Sequence, residues 1–349
     1  MKKKLFLLLF LFSAMQANDS YELGQGYSLV DSYLYVGGYF STSYAQGTNT
    51  NGASLDDVSF LAYGSADKLS YLVEFESLNP YQYSFISQKS TQHGNIYAER
   101  VFAKYQINEN YSLTAGKFYT PVGFWNEVPI NVLRDTTSNP LTAEMLYPKL
   151  STGVGLKYSL ISDSVFELDI LGQNSPDIDP KYNDSKIIQH LALSLTYTKD
   201  ALSYKLSAGH YKEFEEAVIV DDGDNDEDDY FEEYETQKSD DVYNYLLFGF
   251  KYESENILIQ SELGKQFLNN TTNIQYMGYI QGVYRYKEKH SFILRFEDYM
   301  DNEYEQNQDT FSVIGYTYRP IQPVAIKSEY QFHTLKNSDI LLLSFSVLF

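Results

Sequence analysis

From residue 33 onward the sequence repeats one device, about ten residues of alternating apolar and polar character closed by a turn. Sixteen such runs occur, at 33–45, 55–65, 68–78, 95–107, 109–120, 151–160, 164–173, 189–199, 201–212, 242–253, 255–266, 274–286, 288–300, 310–320, 321–332 and 339–349. Their connections alternate between very short and long. The short ones are 66–67, 108, 161–163, 200, 254, 287 and the 320–321 junction; the long ones are 46–54, 79–94, 121–150, 174–188, 213–241, 267–273, 301–309 and 333–338. An even number of strands with this rhythm of connections is the pattern of a barrel crossing a membrane. The sequence therefore predicts an all-β chain, a sixteen-stranded antiparallel transmembrane β-barrel with short periplasmic turns and long extracellular loops.

Period-two sorting of side chains agrees. The last run places Leu341, Leu343, Phe345, Val347 and Phe349 on one face and Ser344 and Ser346 on the other. Likewise Phe292, Leu294 and Phe296 oppose Arg295 and Glu297, and Leu202, Tyr204 and Leu206 oppose Ser203, Lys205 and Ser207. A soluble sandwich shows such alternation too, but 34 Tyr suit the two interfacial girdles of a barrel in lipid. The terminal strand ending in Phe349 resembles the signal read by the outer-membrane assembly machinery.

Lys2, Lys3 and Lys4 precede an apolar run over 5–12 and small residues Ser13, Ala14 and Ala17, the layout of a signal peptide. That run is far shorter than the roughly 20 residues a spanning helix needs. The expected division is a signal peptide at 1–17, a periplasmic N-terminal segment at 18–32 and the barrel at 33–349, in the cell outer membrane among its lipids and lipopolysaccharide. Cysteine is absent, so neither thiol lipidation nor a disulfide is available. The net charge of −21 becomes −24 once the three signal lysines are removed, which disfavours nucleic acid as a partner.

Parity assigns to the lumen Arg100, Lys104, Lys157, Lys205, Lys251, Arg285, Arg295, Arg319 and Lys327, together with Glu74, Glu76, Glu167, Asp169, Glu262, Glu297 and Glu329. Nine basic against seven acidic groups do not enforce strong anion selection. Either they solvate the lumen and pair across strands, or they segregate into opposing walls and create a transverse field. A single bulge would flip a strand's assignment.

One long connection is not built of solvent-loving residues. The stretch 118–150 holds Pro121, Pro129, Pro140 and Pro148, so no strand crosses it, yet Val122, Phe124, Trp125, Val128, Ile130, Val132, Leu133, Met145 and Leu146 are apolar. A barrel of this strand number leaves an aqueous channel too wide to be filled by its own side chains. The insert at 121–150 is thus expected to fold inward as a constriction, with Phe124, Trp125 and Leu133 against the wall. Pore-constriction candidates are Trp125, Asn126, Glu127, Arg134 and Asp135. The alternative is an outward loop that contacts a neighbouring subunit or lipopolysaccharide.

The sixteen runs, the third-loop insert and Phe349 resemble a bacterial outer-membrane porin over the whole mature chain. The stretch 115–127, Ala-Gly-Lys-Phe-Tyr-Thr-Pro-Val-Gly-Phe-Trp-Asn-Glu, resembles a segment of the phosphate-selective porin O and P group and its less characterised relatives. That likeness implies a homotrimer and, for the phosphate-selective group, a column of arginines and lysines down the pore. The assigned lumen face does not supply such a column, and the Pro-Glu-Phe-Gly-Gly type motif of general porins is absent.

The fifth outside loop, 213–241, carries fifteen Asp or Glu against Lys238 alone, a net of −14. Asp222, Asp224, Asp226 and Glu233 fall at the first, third, fifth and twelfth positions of a calcium-loop pattern, but Glu227 stands where the turn requires glycine. A solvated, self-repelling loop and weak cation capture both remain open. His93, His190, His210, His290 and His333 form no zinc pair of the His-Glu-x-x-His kind, and no Gly-x-Ser-x-Gly elbow occurs. No enzyme and no cofactor are expected. The function expected is passive diffusion of small hydrophilic solutes or ions. The alternatives are an uptake receptor for a metal chelate or organic acid, and a structural or adhesive barrel with a closed lumen.

Overall fold

A computed structural model of the chain describes residues 21–30, 33–128, 130–182, 186–215, 239–269, 271–302, 308–335 and 338–349. Its strands form one antiparallel sheet that closes on itself. Sixteen of them make the barrel: β1 (Leu34–Gly47), β2 (Asn51–Ala66), β3 (Leu69–Ser84), β4 (Tyr97–Gln106), β5 (Tyr111–Tyr119), β6 (Leu150–Ile161), β7 (Val165–Gln173), β8 (Ile187–Lys199), β9 (Leu202–Glu215), β10 (Ser239–Glu253), β11 (Ile257–Leu268), β12 (Thr271–Tyr286), β13 (His290–Asp301), β14 (Gln308–Tyr318), β15 (Val324–His333) and β16 (Ile340–Leu348). Closure comes from β16 against β1, with Leu343 opposite Tyr44 and Ser346 opposite Ser41. Each of the sixteen predicted runs lies on one of these strands.

Burial runs opposite to that of a water-soluble domain. On β13, Arg295 is 0% exposed and Glu297 2%, while Phe296 between them is 47% exposed and Leu294 before them 61%. The same holds on β11, where Glu262 is buried and Leu263 exposed, and on β16, where Ser344 and Ser346 are buried and Leu343 and Phe345 exposed. An outer surface of large apolar side chains on strand after strand is solvated by hydrocarbon, not by water. Exposed Tyr105, Tyr111, Tyr197, Tyr204, Tyr284 and Tyr286 lie beside the short turns and form a girdle at that end.

Three details depart from the expected pattern. The first and sixth outside loops are not long, because β1 and β2 run on to leave 48–50, and β11 and β12 to leave 269–270. Asn269 takes a left-handed φ of 47° at that turn, as Asn does readily. Residues 21–30, within the stretch expected to be a periplasmic N-terminal segment, form a small hairpin whose second strand, Gly26–Val30, pairs Tyr27 with Val36 on β1. It covers the edge of β1 below the point where β16 ends, which an exposed strand edge favours. The third detail is Glu99. Between β3 and β4, Glu74 pairs with Arg100 but Phe75 pairs with Ala98, so Glu99 is an extra residue and both it and Arg100 are buried.

Gly116 on β5 has φ +123°, and a Cβ there would lie 2.1 Å from Val101 O on β4. The G116A variant is therefore expected to assemble poorly, seen as loss of the compact, heat-modifiable band in detergent gels. A band of wild-type intensity would show that β5 tolerates another path.

Candidate constriction site

The connection between β5 and β6, here the third loop, folds into the barrel. A short turn at Trp125–Glu127, a second at Asn131–Leu133 and a helical turn at Leu141–Met145 are its regular pieces. Val122, Phe124, Trp125, Val132, Ala143, Leu146 and Tyr147 are buried against the inner wall. The Trp125 ring meets Tyr279 edge to face at 5.9 Å, and Val132 packs with Tyr39 and Leu61. Leu133 does not share that role. It is 42% exposed whereas Val132 is 0%, because the Asn131–Leu133 turn directs adjacent side chains to opposite sides.

An irregular loop inside a barrel must find partners for its backbone polar groups, and here charged wall side chains supply them. Wall carboxylates accept from loop N–H groups: Glu262 from Phe124 and Trp125, Glu329 from Thr137 at 2.9 Å, and Glu297 from Leu141 at 2.9 Å. Gly123, at φ +70°, allows this approach, since a Cβ there would stand 2.7 Å from Glu262 Oε1. Wall cations donate to loop carbonyls. Lys205 reaches Gly123 O at 2.9 Å, Arg295 reaches Ser138 O at 3.2 Å, and Arg319 reaches Val132 O and Arg134 O at 2.5 and 2.9 Å. Lys327 donates to Asn131 O and Thr136 O at 2.5 and 3.0 Å. Charges that parity assigned to the lumen are thus on the inner face, but these are engaged with the loop instead of facing an open channel.

The constriction candidates separate. Trp125 and Asn126 are buried, with the Asn126 amide donating to Thr120 O and Lys149 O at 2.7 and 3.0 Å. Glu127, Asp135 and Arg134 stand at the loop's edge, where Arg134 donates to Val128 O at 2.7 Å. Glu127 and Asp135 belong to a chain of alternating charge. Lys205 Nζ lies 2.7 Å from Glu127 Oε1, and Lys251 Nζ lies 3.8 Å from Glu127 Oε2 and 4.0 Å from Glu253 Oε2. Arg285 then bridges Glu253 Oε1 at 3.2 Å and Asp135 Oδ2 at 3.3 Å. Beside this chain is a cavity of about 120 Å³ with Phe124, Val128, Leu133 and Leu258 on its lining.

The remaining predicted lumen charges lie elsewhere on the wall. Lys157 pairs with Glu167 at 2.7 Å, with Asp169 opposite it on β7. Lys104 is half-buried opposite Ser70 and Thr114. Glu74, Glu76 and Glu99 form a buried group with Arg100, which donates to Glu74, and with Tyr119, which donates to Glu99. The connection after β7, the fourth loop, closes over it: Tyr182 donates to Glu76 at 2.8 Å and Asp179 accepts from Ala98 N at 2.9 Å. Burial, with Glu99 and Glu76 close by, pushes the Tyr182 phenol well above its ordinary range. Lys117 anchors the same loop through Asp177 at 2.6 Å, with both side chains buried. The sequence assigned neither Glu99 nor Lys117 to the site. Asp222, Asp224, Asp226 and Glu233 lie outside the described residues.

His190 is buried between Ser151 Oγ at 2.7 Å and Tyr245 OH at 2.9 Å. Neither ring nitrogen faces a carboxylate, so the pair lacks the third member that orients a hydrolytic dyad.

No protein-family model matches the chain, and neither does any curated protein. Solved structures do. Outer-membrane expressed OmpT of Vibrio cholerae superposes with a TM-score of 0.62 at 14% identity, covering 94% of this chain and 100% of that one. OmpF of Salmonella typhi, in a complex with daunomycin, gives 0.59 at 12% identity over 90% and 97% of the two chains. A mutant of Rh. blastica porin gives 0.52 at 11% identity over 90% and 100%. Likeness at such identities establishes the fold alone, a closed sixteen-stranded antiparallel β-barrel.

Proposed function

We propose that the protein is an outer-membrane channel, a porin, through which small hydrophilic solutes and ions diffuse passively past the third loop, without enzymatic chemistry. The observation that carries this reading is the inverted burial of β9–β16 combined with a polar-bound loop inside them: apolar rows outward, charges inward, and an insert held by those charges within the lumen. A homotrimer belongs to the proposal. It rests on the resemblance to porins alone. The phosphate-selective likeness of 115–127 is not extended to anion selectivity, since Lys205, Arg295, Arg319 and Lys327 are spent on loop carbonyls.

Planar-bilayer recording of the purified protein is the test. Stepwise, ohmic conductance supports the channel, whereas a barrel that inserts and never conducts refutes it. The 213–241 connection carries a net charge of −14, so a mild cation preference is expected that fades with salt as the Debye length falls from about 30 Å at 0.01 M to about 3 Å at 1 M. Deleting 221–235 weakens the preference and leaves conductance intact. Strong anion preference in the intact protein would overturn this charge argument.

A further inference from the structure

Val128 and Leu133 are large apolar side chains inside the barrel, 40% and 42% exposed, on a loop where Val122, Phe124, Trp125, Val132 and Leu146 are packed away. Both line the cavity of about 120 Å³ at the loop's edge. On its rim the charges are incompletely matched. Glu127 uses Oε1 on Lys205 and Glu253 uses Oε1 on Arg285, which leaves the Oε2 atom of each turned toward the Lys251 ammonium at 3.8 and 4.0 Å. Those separations exceed hydrogen-bond length. The ammonium sits instead above the Phe124 ring, 5.1 Å from its centroid. One cation and two carboxylate oxygens thus stand side by side with capacity for a further partner, next to an apolar floor.

We propose that this cavity is a subsite for small zwitterions bearing an apolar side chain, the chemistry of free α-amino acids. The inference rests on the channel reading above and names the solute class that the constriction favours. A solute carboxylate meets Lys251, its α-ammonium meets the Oε2 atoms of Glu127 and Glu253, and its side chain covers Val128 and Leu133. An α-amino acid carries its two charges on one carbon, so it matches groups spaced as closely as these are. The lining carries the cations Lys251, Arg134 and Arg285 against the carboxylates of Glu127, Glu253 and Asp135, so a lone ion of either sign meets as many groups that repel it as attract it. A sugar satisfies neither the charges nor the apolar floor.

The test is solute interruption of single-channel KCl current in the full-length protein, with five probes: norvaline, glycine, N-acetylnorvaline, norvalinamide and arabinose. Norvaline is expected to act at concentrations about fivefold lower than the other four, the scale of partly exposed ion pairs. In L133N norvaline should lose its advantage over glycine, and in K251Q its advantage over norvalinamide. Equal potency of all five probes, a ranking by charge sign alone, or a norvaline advantage that survives both substitutions overturns the subsite. Absence of KCl current in the wild type is a different failure, that of the channel itself.

Discussion

Replacing 128–146 with a short Gly-Ser turn raises single-channel conductance by a factor of about two or more and admits larger sugars, because sixteen strands enclose a lumen their own side chains do not fill. The loop is held by side chains of β9, β11, β13 and β15 that belong to the wall, so the hydrogen-bond ladders of the barrel do not depend on it. What changes is the company of those charges. Glu297, Glu329, Arg295 and Lys327, now buried against loop backbone, become hydrated, and the lumen gains both width and accessible charge. Selectivity then follows the unmasked wall. Unchanged conductance in a variant that inserts normally would mean that the loop does not limit the path.

The barrel was legible in the sequence because its two signals are local and redundant. Period-two alternation recurs over sixteen runs and the turn rhythm over fifteen connections, so no one strand had to be read without error. Positions that broke the period were lost. Glu99 reads as outward beside inward Arg100, and only the bulge against β3 turns both inside. Lys117 shares parity with outward Leu113 and Ala115, yet it is fully buried one residue beyond Gly116, whose positive φ redirects the strand. The third loop was legible as an insert from its prolines and apolar residues. Its attachment was not, since bonds from Lys327 or Glu329 to loop backbone leave no mark on the identity of the residues bonded. The fourth loop gave no signal, because 174–188 is polar and reads as solvated; its inward course follows from the buried ammonium of Lys117, a partner found only in three dimensions.

That attachment supports the second large effect, release of the fourth loop in K117M. Lys117 gives its ammonium to Asp177 Oδ1 at 2.6 Å, approaches Asp179 O at 3.4 Å and lies 4.7 Å from the Tyr182 ring centroid. Removing one partner of a buried ion pair strands the other charge, at a cost of about 3–5 kcal/mol. Asp177 would keep only Thr152 Oγ1 at 3.2 Å and its own loop's Asp179 N at 2.7 Å, too little to hold an ionised carboxylate out of water. Undocking hydrates Asp177 and carries Tyr182 away from Glu76, which opens the Glu74, Glu76 and Glu99 group to the lumen. Trypsin at Lys181 and Lys186 reads the undocked population, and cleavage is expected to accelerate about a hundredfold or more, as 3–5 kcal/mol implies. Adding D177N to K117M removes the stranded charge and should recover much of the resistance, whereas a general loss of barrel stability would not respond to it. Equal cleavage of wild type and K117M would show that the Tyr182 and Asp179 contacts alone hold the loop.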